Sequence, residues 1–232
     1  MARTFAIPWK DRLKRSGNLV SLLGAQGVGL VSGLFFAMAT ARKLSALDFG
    51  QFAIWQALLG YLTVCAEFGT AHAATRRIAA GAHRPAGSLF KAVIVLRALG
   101  FLIGFILVSA LFLTKTSSTV NAYWLAGFAC LGLLLVFNFE WFHLGQHHEP
   151  VVARARVGRH LALFAASLII LRIGLDGRVV VGLYVFAATI QSGLALAREP
   201  KTTSPFAFIV VSDLARECWP LVVALLAQQW VW

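Results

Sequence analysis

Apolar residues along this chain fall into long blocks, each closed by a short polar cluster, and neither a two-residue nor a 3.6-residue alternation dominates. The blocks cover residues 18–41, 50–68, 92–113, 122–142, 158–173 and 179–197, and a seventh starts near 217 after a mixed stretch at 206–216. A hydrocarbon core about 30 Å thick takes about 20 helical residues, because every backbone polar group must be bonded inside the segment. The pattern therefore predicts an all-α integral membrane protein, with one six-helix transmembrane bundle plus the start of a seventh helix. The corresponding parts are a cytoplasmic amphipathic N-terminal segment (1–17), the bundle (18–197), a cytoplasmic interfacial linker (198–216) and an incomplete seventh transmembrane helix (217–232).

The first block resembles a signal peptide in its basic flank and its small-residue "AMATA" end. Its apolar run is longer than a secretory core and five further blocks follow, so it is a retained span. The polar interruption "ATARKLSALDFGQFA" then reads as a membrane hairpin turn. Arg42 and Lys43 snorkel to the head groups, Asp48 sits in an N-cap-like place, Phe49 anchors the interface and Gly50 permits a tight start. Gly29-x-x-x-Gly33 and Gly100-x-x-x-Gly104 stack small residues on one helix face, as a packing seam or as a sliding surface.

Composition agrees with lipid as the solvent. The chain of 232 residues is 59% hydrophobic and only 13% charged, about half the charge of an ordinary soluble domain. Its net charge of +12 comes from short basic clusters between apolar runs, which excludes a nucleic-acid groove reader. Cys65, Cys130 and Cys218 stand singly, with neither disulfide nor metal spacing. Sixteen Lys and Arg fall on one side of the six crossings and five on the other, namely Arg42, Lys43, Lys115, Arg172 and Arg178. The positive-inside rule places the sixteen, with the amino terminus, in the cytoplasm. Residues 5–16 mix aromatics with cations and suit the inner leaflet, and Trp9, Trp124 and Trp141 fall where indoles anchor interfaces.

Four stretches, in order, carry a family likeness: "ATARKLSALDFGQFA", "EFGTAHAATRRIA", "FEWFHLGQH" and "ARECWPLVVALLA". Together they resemble the polysaccharide transporters of the multidrug/oligosaccharidyl-lipid/polysaccharide (MOP) exporter superfamily, which include O-antigen flippases. The resemblance implies half of a MOP-type transporter, moving an undecaprenyl-diphosphate-linked oligosaccharide across the bacterial inner membrane. The implied partners are membrane lipid, the lipid-linked glycan, a second transporter half or a second copy, and a polysaccharide polymerase complex. From 218 to 232 only 15 residues remain, about 22 Å as helix, so a truncated or fragmentary chain is expected.

Ionisable residues inside membrane spans are the candidate site. Arg97, Arg42 and Arg76 could meet a diphosphate, which suits a guanidinium fork, although Arg97 is also shallow enough to snorkel. Glu67 and Glu140 read either as interhelix ion pairs or as ion-coupling acids. His143, His147 and His148 contain an i, i+4 pair but lie beside Pro150 in what reads as a solvated loop, so no metal is expected. With no GxxxxGK[ST], GxSxG or HExxH motif, neither an enzyme activity nor a cofactor is indicated. The alternatives are a cation-coupled multidrug exporter of the same superfamily, a polyprenyl-phosphate transferase, and a single bundle without activity of its own.

Overall fold

A computed structural model of the chain describes residues 9–81, 86–115, 122–173, 176–196 and 208–230, which form helices and short turns with no strand. In chain order these are α1 (Trp9–Lys43), α2 (Ala46–Glu67), α3 (Thr70–Ala79), α4 (Ala86–Lys115), α5 (Ala122–Val136), α6 (Glu140–Gly145), α7 (Glu149–Ile173), α8 (Gly177–Leu196) and α9 (Phe208–Trp230). Residues 1–8, Arg84, 116–121, 174–175, Arg198 and Lys201, which entered the expectations above, lie outside the described residues, as do the side chains of Trp9 and Lys115.

Among the described residues, five stretches are long and apolar enough to cross a membrane: Val20–Lys43, Ala46–Ala79, Gly87–Thr114, Ala122–Gly145 and Gly177–Ala195. The apolar pattern predicts six and part of a seventh. The difference lies in α7 and α9, where every membrane-length stretch holds at least three ionisable residues. In α7 these are drawn from Glu149, Arg154, Arg156, Arg159 and Arg172, and in α9 they are Asp213, Arg216 and Glu217. Helix α9 also begins at Phe208, inside the stretch read as a linker.

Two of the five stretches are broken. Phe68 (φ 47°) and Gly69 (φ 65°) are both left-handed, which ends α2 and restarts the chain as α3. Residues 137–139 separate α5 from α6 without a left-handed residue: the Phe137 N–H donates to the Leu133 carbonyl (3.2 Å) and the Asn138 N–H to the Leu135 carbonyl (3.2 Å) before α6 starts at Glu140.

The hairpin turn proves tighter than expected. Helix α1 ends at Lys43, and Ser45 caps α2 by accepting a hydrogen bond from the Asp48 N–H at 3.1 Å while its hydroxyl donates to Asp48 Oδ2 at 2.8 Å. Asp48 is thus the third residue of α2, bonded to the cap's hydroxyl through both its N–H and its carboxylate, and Ser45 is the cap itself.

Helix α1 lies along α7, α7 along α8, and α8 against α5; α2 packs on α4 and α5, α3 on α6, and α9 on α4. The starts of α2, α5 and α8 meet at one end, where Phe52 packs on Trp124 (6.3 Å) and the Arg178 guanidinium sits over Tyr123 (5.6 Å). The opposite end gathers the start of α1, the start of α7 and the ends of α6 and α8: Asn18 Nδ2 donates to Glu149 Oε2 (3.1 Å), and His143 Nε2 bonds the Ala195 carbonyl (2.9 Å). Helices α1 and α7 therefore run in one direction and α2, α5 and α8 in the other.

Two apolar clusters fill these ends. The one beside the α1–α2 turn is aromatic, with Phe36, Phe52, Trp55, Phe112, Trp124 and Phe128 buried together. The other joins α3, α4, α6 and α9 around Phe90, Phe139, Trp141 and Leu214. Trp124 and Trp141 are therefore core residues, contrary to their expected role as interfacial anchors. Trp124 is fully enclosed and its carbonyl accepts from Trp55 Nε1 at 3.0 Å.

The Gly100/Gly104 pair is a packing seam. A Cβ built on Gly100 would strike the Cys65 carbonyl oxygen, and one on Gly104 would lie 2.6 Å from Cys65 Cβ. Backbone cannot yield as a side chain can, so Gly100→Ala is expected to cost about 1–3 kcal/mol and lower the midpoint of thermal unfolding in detergent. Gly29 meets the His160 ring, whereas Gly33 faces open space.

Candidate functional site

The site grows from the two helix breaks. Each break frees backbone groups that the apolar interior cannot leave unbonded. Arg97, on α4 between them, is only 1% exposed and bonds to both. Its Nε donates to Thr70 Oγ1 (2.8 Å) at the start of α3, and its Nη1 donates to the carbonyls of Leu135 (3.1 Å) and Asn138 (2.6 Å) beside the second break. Thr70 Oγ1 in turn donates to the Glu67 carbonyl at 2.6 Å. One guanidinium thus ties two discontinuous helices together, and it does not snorkel. Its bonds all go to neutral oxygens, while the negative fields of Glu67 and Glu140 reach it across space.

Glu140 opens α6 and is 7% exposed. Its Oε2 accepts from Arg156 Nε (3.2 Å) and Nη2 (3.0 Å), and its Oε1 accepts from Gln191 Nε2 (2.5 Å). Gln191 also accepts from Arg159 Nη1 (3.0 Å), whose Nη2 donates to Tyr184 Oη (3.2 Å). The result is a continuous polar wall from α6 across α7 to α8. Arg159 has no carboxylate partner among the described residues, and its Nε is buried without a hydrogen bond.

Two cavities meet along this wall. The first, about 430 Å³, lies between α2 and α5 on one side and α7 and α8 on the other, and Arg156, Arg159, His160 and Gln191 line it. The second, about 410 Å³, reaches toward α3 and is lined by His72, Arg76 and Arg97. Glu67, Asn138, Glu140 and Arg156 line both.

Four of the five residues singled out from the sequence, Arg97, Arg76, Glu67 and Glu140, therefore come together. Arg42 does not: it is exposed in the last turn of α1 and lines neither cavity. Arg76 is already engaged, since it and Arg77 (2.7 Å) both pair with Glu217 of α9. His143 is buried in α6, which corrects its placement in a solvated loop, while His147 and His148 are exposed. No metal-binding group of three occurs among the described residues.

Arg156 and Arg159, with Arg154, are among the sixteen cations that the charge count assigns to the cytoplasmic side, and they are not among the candidate site residues read from the sequence. A signal was present, because 152, 156, 159, 163, 166 and 170 recur every three or four residues and form one face of α7. Val152, Leu163, Ala166 and Ile170 on that face are buried. Two arginines continuing a buried apolar stripe belong to the interior.

The profile of a family described as polysaccharide biosynthesis protein matches residues 17–231. The chain belongs to that family. Its members are MOP-type polysaccharide and O-antigen flippases, transporters rather than enzymes, and the match takes in all the described helices apart from the first residues of α1. Neither a curated protein nor a solved structure gave a significant match. With five apolar spans and this membership, the chain is a multi-pass membrane protein of polysaccharide biosynthesis.

Proposed function

We propose that the protein carries an undecaprenyl-diphosphate-linked oligosaccharide from the inner to the outer leaflet of the bacterial plasma membrane, with the amino terminus cytoplasmic. The observation that carries this reading is the cavity wall on α7 and α8, where Arg156 and Arg159 line a half-open cavity of mixed polar and apolar lining between α2, α5, α7 and α8. Guanidinium groups in a region of lowered dielectric favour a diphosphate, and their fork matches phosphate oxygens. In this reading α7 is a sixth crossing whose cations are sheltered by α1, α6 and α8. The candidate contacts are Arg156 and Arg159, with Arg97 and Arg76 bordering the second cavity and Glu67 and Glu140 supplying negative charge.

The polar wall also implies a facing protein surface. Gln26 borders the first cavity and is exposed, and Gln56 is exposed on α2. Amides left against lipid are costly, so a second bundle is expected to cover them, from a second transporter half or a second copy. A polysaccharide polymerase complex is the natural recipient of the flipped product.

Deleting the gene is expected to abolish surface polysaccharide and to raise the pool of lipid-linked repeat units, both restored by a plasmid copy. Unchanged polysaccharide together with heightened sensitivity to toxic cations would sink this reading in favour of drug export.

A further inference from the structure

One face of α2 carries small and neutral polar residues. Ala53, Ala57 and Gly60 recur at four- and three-residue spacing, and Gln56 and Thr63 stand on the same face. With Leu59, and with Tyr184 of α8, they line a groove of about 480 Å³ that is open to one side. Leu59, Thr63 and Tyr184 also line the first cavity, so the groove continues the space that Arg156 and Arg159 border. It extends from there toward the start of α2.

We infer, on the basis of the glycan-carrying reading above, that this groove is a sugar subsite: it receives the first pyranose joined to the anion, while Arg156 and Arg159 hold the anion itself. The two connected spaces differ in charge. Glu67, Glu140, Arg156 and Arg159 line the first cavity, whereas no charged side chain among the described residues lines the groove.

What the groove offers instead is unused neutral hydrogen-bonding capacity. Gln56 is exposed, and its amide has no hydrogen-bond partner among the described residues. Thr63 Oγ1 donates to the Leu59 carbonyl at 2.8 Å, which leaves its lone pairs to accept. Tyr184 Oη accepts from Arg159 Nη2 at 3.2 Å, which leaves its own hydrogen to donate. The Tyr184 ring is fixed by an edge contact with Trp55 (5.8 Å) and a tilted one with Phe36 (5.9 Å), so this hydroxyl stays at the boundary of the two spaces.

Uncharged donors and acceptors, in the width that two alanines and a glycine leave open, match the hydroxyls of a sugar. A prenyl chain in the same place would leave Gln56, Thr63 and Tyr184 without partners, and a second anion would find no cation. Arg159, which would hold the phosphate, is hydrogen-bonded to Tyr184, which would hold the sugar. Phosphate and sugar are neighbours in the same order in a glycosyl diphosphate.

The test uses the purified full-length chain in detergent and four probes: farnesyl diphosphate, and the same lipid with glucose, galactose or N-acetylglucosamine joined to its terminal phosphate. At least one sugar-bearing probe is expected to bind the wild type about tenfold more tightly than farnesyl diphosphate, the effect of one or two added neutral hydrogen bonds. Gln56→Leu removes the amide and Ala57→Leu fills the groove, both at exposed positions. Each is expected to abolish that advantage while farnesyl diphosphate binds as before. If Ala57→Leu does not elute as a folded protein on gel filtration, Gln56→Leu alone decides. An advantage that survives in a folded variant overturns the subsite. So does weakened farnesyl diphosphate binding in Ala57→Leu, which would put the prenyl chain in the groove. A wild type that binds farnesyl diphosphate, loses it in Arg159→Met and gains nothing from any sugar would refute the subsite and leave the anion site standing. If the wild type binds none of the four probes, the anion-site reading falls as well.

Discussion

Arg97→Met is expected to remove the folded protein rather than merely slow transport. The substitution nearly preserves side-chain volume, so packing alone does not decide the outcome. What it removes is the donor set: Thr70 Oγ1 and the carbonyls of Leu135 and Asn138 lose their charged partner together. Each stranded buried acceptor costs about 1–3 kcal/mol, against a folding margin of about 5–15 kcal/mol for a typical domain. The loss also falls on two helix breaks at once, releasing α3 and α6 from a common pin. Arg97→Lys should recover only part of this, since an ammonium lacks the fork that spans Thr70 and the second break. Fluorescence-detected gel filtration of detergent extracts would measure it: an Arg97→Met profile as monodisperse and as heat-resistant as wild type would show that Arg97 is no pin.

How much of this was legible in the residues depends on which solvent each element meets. Helices surrounded by lipid announce themselves as unbroken apolar runs, and the stretches 18–41, 92–113 and 179–197 agree to within five residues with the membrane-length parts of α1 (Val20–Lys43), α4 (Gly87–Thr114) and α8 (Gly177–Ala195). The acids and Arg97 stood out because an ionisable residue is costly in an apolar run and persists there only with a partner or a task. Arg156 and Arg159 did not, because three arginines within six residues look like a cytoplasmic loop when counted as charge, and only their phase on a helix reveals that two of them face inward. The two tryptophans were misjudged for a related reason. Position along a span places an indole near an interface, but not on the lipid side or the core side of its helix. Trp124 turns inward because Trp55, Phe112 and Phe128 build an aromatic cluster around it. The helix breaks were half visible. Phe68-Gly69 carries a glycine suited to a left-handed turn, whereas nothing in Phe137-Asn138-Phe139 marks a break until Arg97 is known to bond the carbonyls beside it.

The cavity wall yields the second large effect, and a pair of substitutions isolates it. Arg159→Met is expected to lower surface polysaccharide export by about 10- to 100-fold, the equivalent of one lost charge-assisted contact to the transported anion, with little change in the amount of folded protein. The reason for the split is that Arg159 serves neutral partners, Gln191 and Tyr184, which can rebond to water in the cavity when it goes. Arg156→Met is expected to lower both export and yield, because it leaves the Glu140 carboxylate buried with only Gln191 to hold it. Adding Glu140→Gln to Arg156→Met removes the stranded charge and should restore the yield. It should not restore export, because the guanidinium that faces the cavity is still missing. Quantifying polysaccharide alongside membrane-extracted protein in the four strains separates the two roles. Export that recovers in the double variant would show that Arg156 acts only as the counter-ion of Glu140, and the anion contact would then rest on Arg159 alone.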